Sequence, residues 1–131
     1  MNVEIFITTK FNGRVTNGSG AYGIVRRLEG RPETAKCHVT GRRELSYQKL
    51  NTYAALEAIE CMVAPAHIKM YLDNAYAAHM IEKGCADENA NRELWNQFYQ
   101  MAEKMDGLEV ERTTKHEYTE NLLKMINAGL S

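Results

Sequence analysis

Long apolar runs are missing from this 131-residue chain: nowhere does it approach the roughly 18 consecutive apolar residues of a membrane-spanning helix. The opening MNVEIFITTKFNGR lacks a basic segment followed by an apolar one, so no secretory leader is expected. A cytoplasmic protein without a membrane partner is the expectation. Cysteine is sparse as well. Cys37, Cys61 and Cys85 are odd in number, far apart and without a C-x-x-C pair, which argues against a disulfide framework and against a zinc site. His38, His67 and His79 share no metal-ligand spacing. Repeats, low-complexity tracts and linkers are absent too, and the length suits one hydrophobic core, so residues 1–131 are read as a single domain.

Net charge is also small, at −1, but it is unevenly spread. Residues 1 to 50 hold nine Lys and Arg against four Asp and Glu, whereas residues 51 to 131 hold seven against thirteen. The halves carry about +5 and −6, an asymmetry that fits either a basic face for a polyanion or two solvated faces of opposite sign.

What is present is a clear alternation of element types. VEIFITT (3–9) is β-branched and aromatic, as a strand requires; KFNGRVTNGSG reads as a long hairpin loop and AYGIVRRLE as the second strand. After the turn GRP, TAKCHVTG (34–41) is the third strand. A helix is predicted from Leu45 to Val63, with Tyr53, Leu56, Ile59 and Val63 on one side and Pro65 closing it. HIKMYL is the fourth strand, and NAYAAHMIEKG a short helix ending at Gly84. CADENAN links onward to RELWNQFYQMAEKM, whose Leu94, Phe98, Met101 and Met105 form a core stripe. LEVERTT (108–114) and YTENLLKMINAG complete the order βββαβααβα. Three consecutive antiparallel strands followed by helix-linked strands imply an α/β fold, one mixed sheet with helices on its faces.

Six segments in this order resemble the ribonuclease H family: VEIFITT and GAYGIV in the place of its first two strands, AALEAIE in its first long helix, YLDNAY at its T-D-S-x-Y strand end, NRELWNQF in its N-x-x-L-W helix, and KHEYTENL in its closing loop and helix. The resemblance covers nearly the whole chain. It implies an RNase H-like fold with a five-stranded mixed sheet and helices on both faces, and a site in which four carboxylates hold two Mg²⁺ or Mn²⁺ ions about 4 Å apart to cleave the RNA strand of an RNA·DNA hybrid.

Residue by residue, the implied carboxylates are incompletely supplied. Asp73 matches the one at the end of the fourth strand, although Asp before a helix is equally an N-cap. Thr8 stands where the first-strand carboxylate belongs, and Gln48, or Asn51 with the spacing shortened by a turn, stands at the helix position. Glu44 in RREL, one turn before Gln48, and Glu120 in the last helix are the remaining acidic candidates, and His116 matches the family's mobile loop histidine. If any residue holds metal, Asp73 does.

Three functional readings follow. In the first, the fold is kept and hydrolysis is lost or impaired, leaving a module that binds RNA·DNA hybrid or another duplex weakly; Asn17, Arg42, Arg43, Gln48, Asn51 and Asn74 are its expected contacts, with Lys10, Arg14 and Lys49 facing phosphates. In the second, the chain is an active ribonuclease H using Asp73, Glu44 and Glu120 with Mg²⁺ or Mn²⁺ and His116. In the third it is a non-catalytic interaction domain that forms a homodimer through its third strand or the Met-rich helix 92–105.

Overall fold

A computed structural model describes residues 1–14, 17–29, 31–86 and 90–130, with the backbone alone described at 14, 17, 31–45 and 129–130. The elements are β1 (Asn2–Arg14), β2 (Asn17–Leu28), β3 (Arg31–Leu45), α1 (Tyr47–Glu60), β4 (His67–Leu72), α2 (Ala75–Lys83), α3 (Arg92–Ala102), β5 (Gly107–Arg112) and α4 (Thr119–Leu130). In the sheet the order is β3-β2-β1-β4-β5. Four of these strands, β2-β1-β4-β5, carry described side chains and form the mixed sheet that positions the site, while β3 extends the β2 edge through backbone pairing. β1 is antiparallel to β2 and parallel to β4, and β4 is parallel to β5.

Strand periodicity sorts the side chains onto two faces. Val3, Ile5 and Ile7 of β1, Tyr22 and Ile24 of β2, and Ile68, Met70 and Leu72 of β4 pack with Leu50, Ile59, Ala77, Ile81, Trp95 and Phe98 from α1, α2 and α3. The opposite face is smaller: Phe6, Val25 and Leu122 are buried there with Tyr71 and Tyr118 against them, so α4 is the helix of that side. The expected α/β class, with helices on both faces of a mixed sheet, is what the chain adopts.

Two glycines of β2 let helices approach. A Cβ on Gly20 would lie 2.6 Å from Leu50 Cδ2, and one on Gly23 would lie 2.8 Å from Leu122 Cδ2, so α1 and α4 both sit where side chains on β2 would collide with them.

Several boundaries differ from those expected. The segment read as a hairpin loop is mostly strand, because β1 and β2 stay paired as far as Arg14 and Asn17. Gly13, at φ 117°, takes a backbone conformation that a side chain would resist. The third strand runs longer than 34–41 and ends at Leu45. α1 therefore starts later, after Ser46, whose side chain accepts from Lys49 N at 3.0 Å. It also ends sooner, at Glu60, so Val63 is 96% exposed rather than part of a core face. Met105 lies beyond α3 but packs against the same core.

Candidate functional site

The parallel register of β1 and β4 runs from Asn2↔His67 to Phe6↔Tyr71. Two residues further along each strand are Thr8 and Asp73, and both line one small cleft of about 140 Å³. Crevices outside the carboxyl ends of parallel strands are where open α/β sheets place ligands. Three other elements complete the walls: Tyr47 and Asn51 from the start of α1, Thr113, Thr114 and His116 from the segment after β5, and Thr119 and Leu123 from α4.

The β5 end is tied down beside β4. Thr113 N donates to Leu72 O at 2.8 Å, Arg112 Nε donates to Asp73 O at 2.7 Å, and the Thr113 hydroxyl donates to Lys115 O at 2.8 Å. This brings His116 over β1, where its ring lies 5.2 Å from that of Phe6.

The protonation of His116 follows from its partners. Tyr118 N–H approaches Nδ1 at 3.2 Å and needs a lone pair there, while Ile7 O approaches Nε2 at 3.1 Å and needs a proton there. The ring is therefore the neutral Nε2–H tautomer. Its Nε2 is also 3.0 Å from Thr8 Oγ1, so that hydroxyl serves as an acceptor of the same proton. This arrangement rules out His116 as a base acting on the Thr8 hydroxyl. Burial also pushes its pKa below 6.5, opposed by the Ile7 carbonyl and by the charge of Glu117. The backbone holds the histidine too: His116 N donates to Thr119 Oγ1 at 2.9 Å and Thr119 N to His116 O at 3.2 Å.

Asn51 is 4% exposed and joins α1 to the sheet. Its Oδ1 accepts from the Thr9 hydroxyl at 3.3 Å, and its Nδ2 donates to Tyr47 O at 2.9 Å. The carbonyl partner fixes which way the amide faces.

The sequence-derived site residues divide accordingly. Thr8, Asn51, Asp73 and His116 come together in the cleft. Gln48 does not; it is exposed on α1, and Asn51, one turn later, takes the helix position facing the cleft. Glu120 is exposed and pairs with Lys115 at 3.2 Å, outside the cleft lining. Glu44 lies on β3, not on the helix, so no helical register brings it to the site. Asn74 is no surface contact: it is 9% exposed and its side chain accepts from Ala77 N at 2.7 Å, capping α2. Asp73, the expected alternative cap, is therefore not the cap; it is exposed beside the cleft. The side chains of Arg14, Asn17, Arg42, Arg43 and Glu44 lie outside the described residues. Sequence reasoning missed Thr9, Tyr47, Thr113, Thr114 and Thr119. A signal for some of them exists in the two Thr-Thr doublets, 8–9 on β1 and 113–114 directly after β5, the strands either side of β4.

This donor set does not fit a pair of divalent ions. Among the described residues lining the cleft, Asp73 brings the one carboxylate, the neighbouring groups are hydroxyls and an amide, and both His116 nitrogens are engaged. Among the described residues, no three His, Cys, Asp or Glu side chains gather as a metal-holding group. Nor is any described helix long and apolar enough to cross a membrane. No protein-family model matches the chain, and no curated protein matches it.

Proposed function

We propose that this chain is a ribonuclease H-like protein that holds an RNA·DNA hybrid, or another duplex, weakly at the cleft beside β1 and β4 and does not cleave it. The observation that carries the reading is the cleft itself: it lies at the carboxyl end of β4, where its parallel pairing with β1 stops, and is lined, among the described residues, by Thr8, Asn51 and His116 with the single carboxylate of Asp73. Two-metal hydrolysis relies on concentrated negative charge, and the described residues of this lining bring one carboxylate. The strand order, with β1 between an antiparallel β2 and a parallel β4, and the ordered resemblance of six sequence segments support the same family. The excess of positive charge in residues 1 to 50 supports a polyanionic partner, with Lys10, Lys49, Arg42 and Arg43 as phosphate contacts and Asn17 at the backbone.

The test is anisotropy titration of a labelled hybrid, followed by incubation with Mg²⁺ and then Mn²⁺. Binding should fall roughly a hundredfold between 50 and 200 mM salt if about four phosphates are neutralised. No cleavage should exceed that of Asp73→Asn. Cleavage by the wild type that Asp73→Asn abolishes would replace this reading with that of an active ribonuclease H, and absence of binding at low salt would remove both.

A further inference from the structure

Resting on that reading, we propose that the cleft grips one phosphodiester group directly through hydroxyl and amide protons, with no metal ion between protein and phosphate. The inference comes from counting protons and lone pairs at the buried polar groups. Thr8 is 8% exposed, and its oxygen accepts from His116 Nε2–H, so the hydroxyl proton is left to serve as a donor. Asn51 is 4% exposed; Oδ1 is taken by Thr9 and one Nδ2 proton by Tyr47 O, which leaves the second Nδ2 proton. Thr119 Oγ1 accepts from His116 N and retains its own proton in the same way.

Three donors from β1, α1 and α4 thus line one cleft, each on a residue whose oxygen already accepts one hydrogen bond. A metal ion needs several negatively charged or free oxygens, and here each of these neutral oxygens already accepts one hydrogen bond, leaving Asp73 as the one charged ligand among the described residues of the cleft. A phosphodiester presents two unprotonated, negatively charged oxygens, which need protons and find them. At about 140 Å³ the cleft is below the roughly 300–1,000 Å³ of whole-ligand pockets, so it accepts a group rather than a nucleotide. Asp73 is the opposing element. Its carboxylate lies at the same cleft, is exposed, and repels a phosphate, while Arg112 donates to its backbone carbonyl rather than neutralising the side chain.

These opposed roles make the proposal separable from metal-mediated binding, in which Asp73 would be indispensable. The experiment measures affinity for a labelled RNA·DNA hybrid by anisotropy, once in EDTA and once in Mg²⁺, for the wild type, Thr8→Val, Thr8→Ser and Asp73→Asn, with thermal melts of each protein. Wild-type affinity should be the same in EDTA as in Mg²⁺. Thr8→Val should bind about tenfold more weakly, the scale of one hydrogen bond to a charged group. Thr8→Ser, which keeps the hydroxyl, should bind as the wild type does, and Asp73→Asn should bind more tightly. Affinity that disappears in EDTA, or weakening on Asp73→Asn, overturns the proposal, as does a folded Thr8→Val that binds like wild type. If Thr8→Val fails to fold, the Asp73→Asn comparison decides alone. A wild type that binds no duplex in either buffer defeats the nucleic-acid reading itself, a failure distinct from binding that ignores Thr8.

Discussion

Acidifying the protein should weaken it through His116, and the sign follows from the ring's partners. The folded state holds the neutral Nε2–H tautomer, with Nδ1 accepting from Tyr118 N and Nε2 donating to Ile7 O. Burial lowers its pKa below 6.5, so on acidification the unfolded chain takes up a proton near pH 6.5 before the folded chain does. In that window the unfolded state binds more protons, and stability falls with pH by at most about 1.4 kcal/mol per unit. Above about 6.5 the contribution is complete and flat; below the depressed folded pKa the loss levels off. From pH 7.5 to 5.5 the ceiling is therefore about 1.4 kcal/mol, one unit below 6.5, and partial exposure and the nearby Glu117 reduce it. Carboxylates such as Glu4, whose pKa Arg27 lowers by hydrogen bonding, respond only at lower pH, and subtracting a His116→Gln variant removes them. The assay is urea denaturation of both proteins at half-unit intervals. The wild type should lose more stability than His116→Gln between pH 6.5 and 5.5 and track it above 7. A flat difference, or a wild type that gains stability on acidification, would refute the tautomer argument.

Two further outcomes test the architecture. Asn74→Ala should cost about 0.5–2 kcal/mol by removing the cap on α2, whereas Asp73→Ala should stay within about 0.5 kcal/mol, both read by thermal or urea melts; equal losses would contradict the assignment of the cap to Asn74. Gly23→Val should destabilise by about 1–3 kcal/mol, because its side chain would enter the space of Leu122 and push α4 off the sheet; a melt indistinguishable from wild type would show that α4 does not sit there.

Periodicity was a good guide where a segment had one wet and one dry face. β4 alternates exposed and buried residues along His67–Leu72, and the stripe of Leu94, Phe98 and Met101 faces the core. It misled where glycines and asparagines continue a strand without an apolar signature, which is why 10–14 and 17–20 resembled a loop. The site was legible as a list of positions but not of roles. Gln48 and Asn51 sit one turn apart, and choosing between them required knowing that Ser46 starts the helix. Asp73 and Asn74 are both good caps by chemistry; strand alternation, which sends Leu72 into the core and the next residue out, leaves the cap to the second of them. His116 was expected to be a mobile loop residue. Only tertiary structure shows its ring bonded to Ile7 O, 109 positions away in the chain.

The position of β1 between β2 and β4 has a kinetic side. Its antiparallel partner follows directly in sequence, so a β1–β2 hairpin closes early, but its parallel partner begins at His67, beyond the whole of α1. Until that crossover is complete, the hairpin offers one edge of unpaired backbone lined by Val3, Ile5 and Phe6, the pattern that templates pairing with other chains. During synthesis that edge stays without its native partner until β4, which ends at Leu72, has emerged, so this interval exposes a folding chain to pairing with other chains.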